Sequence, residues 1–230
     1  MSASPLPDRE PLTDSASTYG RIITVSASLF ARWGYHGTST RRIAAEVGIR
    51  QPSLFHHFPS KKAIMEELMA LNYLRPRSML DWLLAQDGSP DTRLFAFVAA
   101  DLRYARSLGI NLSSASRDDV LSDPDFAKWR RTADEFHDSV AELFRQGMRA
   151  GCYVPITAEL ARIAHTGITR EIIRLIGSEE IAPSDEWCDE AASFVLRSVL
   201  ASPERLAAVR AEAAPLIDGV ADVGLTGPTA

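Results

Sequence analysis

The stretch STRRIAAEVGIRQPSLFHHFPSKK, residues 39–62, carries the signals of two short helices separated by a glycine. Apolar side chains spaced three and four apart predict a first helix over residues 40–47. Gly48 follows it, as is typical of a helix C-terminus that needs positive φ. Pro52 suits the first turn of a second helix over residues 51–57, because its missing N–H has no partner there. Two short helices separated by a glycine turn predict a helix-turn-helix motif.

The second short helix has two chemically different sides. Leu54 and Phe58 are four residues apart, so they point to the same side and predict contact with a core. The opposite side carries hydrogen-bonding side chains, namely Gln51, Ser53, His56 and, at its edge, Arg50. Base edges and phosphates are suitable partners for such groups. Residues 39–58 are therefore predicted to bind double-stranded DNA.

The charge distribution supports this prediction, although the net charge of -5 alone argues against it. Residues 15–76 contain eight basic and three acidic side chains. From residue 77 onward there are sixteen basic and twenty-four acidic side chains. A basic region joined to an acidic remainder is typical of a nucleic-acid-binding domain attached to a second domain.

Composition excludes several other classes of protein. At 230 residues and 46% hydrophobic content the chain is typical of a globular protein, and no apolar run reaches the roughly 18 residues of a membrane span. The N-terminus lacks a secretory pattern, so a cytoplasmic location without membrane association is expected. Cys152 and Cys188 have no paired ligand spacing, so no metal and no cofactor are expected, and a redox role for Cys152 stays open. Enzyme motifs are absent, and an enzyme is not predicted.

The sequence predicts an all-α fold of about nine to ten helices, because helical periods fill the chain and alternating strand patterns are missing. The predicted helices cover residues 19–33, 40–47, 51–57, 61–76, 77–86, 91–107, 124–147, 157–176, 184–200 and 203–217. Pro76 is expected to end the fourth helix. The predicted domains are a disordered leader (1–15), a three-helix DNA-binding head (16–76), a larger helical body (77–217) and a disordered tail (218–230).

Five short motifs in order and spacing resemble the bacterial TetR-type (tetracycline-repressor-like) transcriptional regulators. They are LFARWGY (29–35), TST (38–40), IAAEVGI (43–49), LFHHF (54–58) and SKK (60–62). The resemblance covers about residues 18–71. Beyond residue 72 the sequence offers only helices of fitting number and length, so the body is assigned by analogy.

The resemblance implies the roles of individual head residues. Thr40 and Lys61 would contact phosphates, and Arg41 would reach a base or the backbone. The full set of implied DNA-binding residues is Thr40, Arg41, Arg50, Gln51, Pro52, Ser53, Phe55, His56, His57 and Lys61. Gln51, Pro52 and Ser53 would enter the major groove. Phe55 departs from the family's tyrosine and so lacks its phosphate-binding hydroxyl, and Arg50 departs from the usual Ser or Thr cap.

The resemblance also implies a homodimeric repressor that a small-molecule effector releases from a near-palindromic operator. Dimerisation is expected through the helices at 157–176 and 184–200. Candidates for an effector pocket in the body are Trp82, Phe97, Tyr104, Trp129, His137, His165 and Arg170. Two alternatives remain, an effector-independent DNA-binding protein and a small-molecule binding protein whose head no longer reads DNA.

Overall fold

The computed structural model describes residues 17–221 and Val223. This part of the chain is all-α, as predicted, and an isolated β-bridge between Tyr153 and Leu200 is its sole β pairing. The ten α-helices of the described residues are α1 (Thr18–Trp33), α2 (Thr40–Val47), α3 (Gln51–His57), α4 (Lys61–Leu84), α5 (Pro90–Leu108), α6 (Asp118–Leu121), α7 (Ala127–Arg149), α8 (Ala158–Gly177), α9 (Asp185–Arg197) and α10 (Leu206–Ala221). Three short 3-10 helices lie at Leu112–Ser116, Pro124–Phe126 and Pro203–Arg205.

Local signals begin and end the helices of the head as the sequence predicts. Ser39 is the N-cap of α2, and its Oγ accepts a hydrogen bond from the Arg42 N–H at 3.2 Å. Gly48 ends α2 with φ of 78°, in the left-handed region. Arg50 precedes α3 without a side-chain cap, and α3 ends at His57, before Pro59. The bounds of α2 and α3 are therefore confirmed.

The predicted end of the fourth helix at Pro76 is wrong. α4 continues through Pro76 to Leu84, and the separate helix predicted over residues 77–86 is its second half. A proline inside a helix costs about 3 kcal/mol because it removes one hydrogen bond and crowds the preceding turn. Buried side chains on both sides of it, Tyr73, Met79 and Leu80 among them, hold the helix together by tertiary packing. The domain boundary predicted at residue 76 thus falls inside a continuous helix.

The remaining helices differ from the prediction mainly at their ends. α5, α8 and α9 lie within one to three residues of the predicted bounds, and α7 begins at Ala127 after a 3-10 helix instead of at residue 124. The 3-10 helix Leu112–Ser116 and α6 were not predicted, because both are too short to show a period. The tail predicted from Asp218 is wrong for its first residues, since α10 continues to Ala221 and buries Val220. The leader predicted for residues 1–15 lies outside the described residues.

Two apolar cores organise the molecule, and their division does not follow the predicted domains. The body core joins α5, α9 and α10 with the C-terminal halves of α4 and α7. The head core joins α1, α2 and α3 with the N-terminal half of α4. It also includes body residues between 110 and 133, such as Leu112, Phe126 and Trp129. The head therefore rests on a segment of the body through shared apolar packing.

None of the described helices combines the length and the apolar character that crossing a membrane requires.

Neighbouring residues of α3 allow a matched test of the head core. Leu54 is fully buried, whereas Phe55 is 43% exposed. We expect Leu54→Ala to lower the free energy of unfolding by about 2–5 kcal/mol, because it leaves a cavity in a packed core. Phe55→Ala should change it by less than about 0.5 kcal/mol. Urea denaturation followed by circular dichroism measures both, and equal losses would mean that α3 is packed differently.

Candidate nucleic-acid interface and body cavity

The residues predicted to contact DNA lie at the surface of the head. Thr40, Gln51 and Lys61 are partly buried, and the other seven are exposed, namely Arg41, Arg50, Pro52, Ser53, Phe55, His56 and His57. Leu54 and Phe58 point into the core, as predicted. α3 thus presents its polar side outward while its apolar side packs on the head core.

A hydrogen bond links the starts of α2 and α3. The Gln51 Nε2 donates to the Thr40 Oγ1 at 2.9 Å. Arg21 of α1 donates from its guanidinium to the Val47 carbonyl, at the opposite end of α2. These two bonds and the packing of α2 against α1 and α3 fix the relative positions of the helices. Gln51 is therefore preorganised, which lowers the entropic cost of using its amide in recognition.

Trp33 and two arginines form a surface cluster that the sequence analysis missed. Trp33 is 48% exposed at the end of α1. The guanidinium groups of Arg32 and Arg42 lie over its ring, 5.0 and 4.9 Å from the ring centroid. Such cation–π contacts are worth about 0.5–1 kcal/mol at exposed sites. The two arginines are held in place beside α2 and add to the positive charge of the head.

Lys61 has a structural role that the family resemblance does not include. Its Nζ donates to the carbonyls of Tyr35 and Thr38, at 2.8 and 2.9 Å, and lies 4.3 Å from the centroid of the Tyr35 ring. Partial burial lowers the pKa of its ammonium group. Because an ammonium has three N–H donors, one remains outside these two bonds. Lys61 thus holds the turn between α1 and α2.

Head and body meet at a junction formed by the α1–α2 turn, the start of α4 and the segment around Phe126. The Tyr35 and Phe126 rings are in edge contact, with centroids 5.3 Å apart. The His36 Nε2 lies 3.6 Å from the Asp123 Oδ2, and the Lys62 Nζ lies 3.4 Å from the Asp125 Oδ1. Asp123 and Asp125 therefore face basic side chains of the head.

The body contains a cavity of about 170 Å³ that is partly open to solvent. Its walls come from α4, α5, α6, α7, α8 and the 3-10 helix Leu112–Ser116. Four of the predicted pocket residues line it, namely Tyr104, His137, His165 and Arg170. Apolar side chains such as Leu71, Leu112 and Phe136 complete the wall.

Three of the predicted pocket residues do not line this cavity. Trp82 packs against α10, where a side chain at Gly219 would meet its ring. Phe97 is fully buried one layer behind the wall, with its ring 6.0 Å from that of His165. Trp129 belongs to the head core. The periodicity of a helix shows that a residue is buried but not which buried space it faces, so these three were misplaced.

Three titratable groups that line the cavity have pKa values shifted towards the neutral form. Burial lowers the pKa of His165 to about 4, and burial together with Arg162 lowers that of His137. Asp101, which the sequence analysis did not single out, lines the cavity, and burial raises its pKa to about 7. Its sequence signal is a single acid within the apolar run LFAFVAADL, residues 94–102. Such shifts towards neutrality mark candidate ligand sites.

Neither cysteine has the surroundings of a reactive thiol. Cys188 is buried and Cys152 is partly buried, and burial raises the pKa of both thiols. Among residues 17–221, no group of three or more metal-binding side chains is close enough to hold an ion.

The two adjacent lysines of α4 allow a matched test of the turn contact. Lys61→Met should lower the free energy of unfolding by about 1–3 kcal/mol, because it leaves two carbonyls without their charged donor. Lys62→Met removes a surface ion pair with Asp125 and a distant contact with the Phe126 ring, and it should cost about 0–1 kcal/mol. Urea denaturation gives the free energies, and hydrogen exchange at residues 35–39 should accelerate in the Lys61 variant alone. Equal exchange in both variants would exclude the proposed contact.

Comparison with known proteins agrees with this geometry. Residues 22–68 match the profile of the bacterial regulatory proteins of the tetR family. The HTH-type transcriptional repressor KstR2 of Mycobacterium tuberculosis is 39% identical over 70 residues, which are 30% of this chain and 32% of KstR2. The matched sequence thus spans about a third of this curated relative's length.

Solved structures extend the likeness to the body. The crystal structure of Mycobacterium smegmatis AmtR superposes with a TM-score of 0.66 and 28% identity, covering 90% of this chain and 95% of AmtR. AibR, solved in complex with isovaleryl coenzyme A and operator DNA, has a TM-score of 0.55 at 20% identity, covering 81% of this chain and 99% of AibR. This second likeness concerns the fold alone. The head therefore has the sequence profile of the tetR family of bacterial regulatory proteins, and the described chain shares the all-α fold of AmtR.

Proposed function

We propose that the protein is a cytoplasmic, homodimeric transcriptional repressor that binds a near-palindromic operator and is released by a small-molecule effector. The observation that carries the DNA-binding part is the outward polar side of α3, fixed by the buried Leu54 and the Gln51–Thr40 hydrogen bond. The relative KstR2 is named a transcriptional repressor, which supports the direction of regulation. Two copies of α3 about 34–36 Å apart would read half-sites one turn of DNA apart.

The head residues predicted to contact DNA have different proposed roles. Gln51, Pro52 and Ser53 begin α3 and would read base edges in the major groove. Arg41, Arg50, His56 and His57 supply exposed donors for phosphates or neighbouring bases. Thr40 and the remaining N–H of Lys61 would contact phosphates, while Phe55 would contribute an exposed apolar ring. Residues 16–76 act as the DNA-binding unit in this proposal.

The exposed apolar side chains of α8 and α9 are the proposed dimer contact. Leu160 and Ile163 of α8 are 55% and 51% exposed, and Phe194 of α9 is 62% exposed. Val195 and Val199 belong to the body core and are not part of this proposed contact. Large apolar residues exposed in this way mark interaction surfaces when they form a patch.

The cavity is the proposed effector site. Its wall includes the 3-10 helix Leu112–Ser116, which also packs against α1 of the head. A ligand that changes the position of this wall would change the tilt of the head through the shared core. The coupling needed is about 1–3 kcal/mol. AibR, a protein of the same fold, was solved with a small molecule and operator DNA together.

A DNA-binding experiment tests the function and separates it from its alternatives. Selection from a random duplex library with the full chain yields an operator, and fluorescence anisotropy compares it with a scrambled duplex over a range of salt. Gln51→Ala should weaken operator binding by about 1–3 kcal/mol and leave the scrambled duplex unchanged. Arg50→Ala should weaken both and reduce the salt slope by about 1.

The matched control is Arg149→Ala, which removes an exposed arginine at the C-terminal end of α7, the end that packs away from the head core. It should leave both affinities unchanged. Equal affinity of the wild type for operator and scrambled duplex would exclude specific regulation, and absence of binding to either would mean that the head no longer reads DNA.

The dimer contact is tested by a charge placed on its most exposed aromatic residue. Phe194→Asp should convert the dimer to a monomer, because a buried unpaired carboxylate costs several kcal/mol. Phe55→Asp, the same change at an exposed position of the head, should remain dimeric. Sedimentation equilibrium measures the mass, and a dimeric Phe194→Asp variant would place the contact elsewhere.

A further inference from the structure

One carboxylate in the cavity wall has no partner. Asp101 of α5 is 7% exposed and lines the cavity. Within residues 17–221 it makes no hydrogen bond and no ion pair, and burial is the cause of its raised pKa, with no cation contributing. Buried carboxylates are normally paired or hydrogen-bonded, since isolation in an apolar environment costs several kcal/mol. The missing partner can be supplied by a ligand.

The other polar groups of the cavity do not compete for this carboxylate. His165 and His137 are kept neutral by burial. Arg170 is exposed, and its guanidinium donates to the Ser116 carbonyl at 3.0 Å. Asp118, the second acid of the lining, is exposed as well. Asp101 is therefore the one buried acidic group of the lining, which has no buried cation. Glu67, also buried, and Arg75 lie outside the lining and act on Tyr104 from α4.

The rest of the wall suits the apolar part of a cationic ligand. Tyr73, Tyr104 and Phe136 contribute aromatic rings. Burial raises the pKa of the Tyr104 phenol, and the nearby Asp101 carboxylate raises it further. The Tyr104 hydroxyl donates to the Leu71 carbonyl at 3.3 Å, which fixes the ring. Aromatic faces attract ammonium groups by cation–π interaction.

The volume limits the size of the ligand. A cavity of about 170 Å³ is close to the roughly 150 Å³ cavity that accommodates benzene in an engineered protein. A coenzyme A thioester, such as the one bound to AibR, is far larger and carries several negative charges.

We propose that the cavity binds a compact primary amine whose ammonium group pairs with the Asp101 carboxylate and whose apolar body, about one ring in size, lies against Leu71, Leu112 and Phe136. The inference rests on the proposed function in one respect, namely that amine binding releases operator DNA. Binding itself requires the body alone and can be measured without DNA.

The affinity for the amine should depend on pH, because its ammonium group pairs with Asp101. A cationic amine binds the ionised carboxylate, whose pKa in the free protein is about 7. Binding should therefore strengthen about tenfold from pH 6 to pH 8, as the ionised fraction rises from about one tenth to about nine tenths. The amine remains protonated over this range. His165, whose pKa burial lowers to about 4, contributes no opposing change above pH 6, and burial also lowers the pKa of His137.

Three probes of nearly equal size and different charge test the proposal by isothermal titration calorimetry on the full chain at pH 8. They are benzylamine, benzyl alcohol and benzoate. We expect one benzylamine to bind per protomer, about ten- to hundredfold more tightly than either other probe. Asp101→Asn should remove this preference, whereas Asp87→Asn, the same change at an exposed position of the α4–α5 turn, should keep it.

Three calorimetric results would contradict the proposed amine site. Equal binding of the three probes, a retained preference in Asp101→Asn, or no saturable binding of benzylamine would each overturn the proposal. Circular dichroism checks the fold of Asp101→Asn, and the pH dependence of the wild type gives a second test without any variant. Amine binding that does not weaken operator binding in the anisotropy assay would refute effector control while leaving the amine site intact.

Discussion

The burial of α4 along its whole length is the constraint on which the rest of the structure depends. Its N-terminal half supplies Ile64 and Leu68 to the head core, and its C-terminal half supplies Leu80 and Leu83 to the body core. Because both halves are packed, the helix continues through Pro76 despite the cost of a proline in its interior. One continuous helix thus joins the two cores.

The cavity lies at the middle of this helix, where Leu71, Tyr73 and Pro76 form part of its wall. The Lys62–Asp125 ion pair and the His36–Asp123 contact at the junction of head and body are partly exposed, and surface contacts of this kind contribute only about 0–1 kcal/mol each. The buried contact of Tyr35 with Phe126 is the stronger connection, because it belongs to a packed core that is not continuously deformable. The structure therefore favours coupling by packing over coupling by surface charge.

The sequence predicted the head more closely than the body for a physical reason. Ser39, Gly48 and Pro52 act within one turn of their own position, so capping and turn preferences suffice to place α2 and α3. The contacts of Lys61 are different, because they join residues 26 and 23 positions apart in the chain. In the body, Trp82, Phe97 and Trp129 are covered by packing, as their apolar character indicates, yet each faces a space other than the cavity.

The sequence by itself determined the all-α class, the helix-turn-helix and the outward polar side of α3, because these depend on periodicity, caps and turns within a few residues. Only the tertiary structure decided that α4 passes through Pro76, that the segment of residues 110–133 completes the head core, and that Asp101 stands unpaired in a cavity. Each of these features depends on the summed burial of side chains from distant parts of the chain. No local sequence pattern shows this total burial. Tertiary packing can also outweigh a local preference, such as the tendency of proline to end a helix.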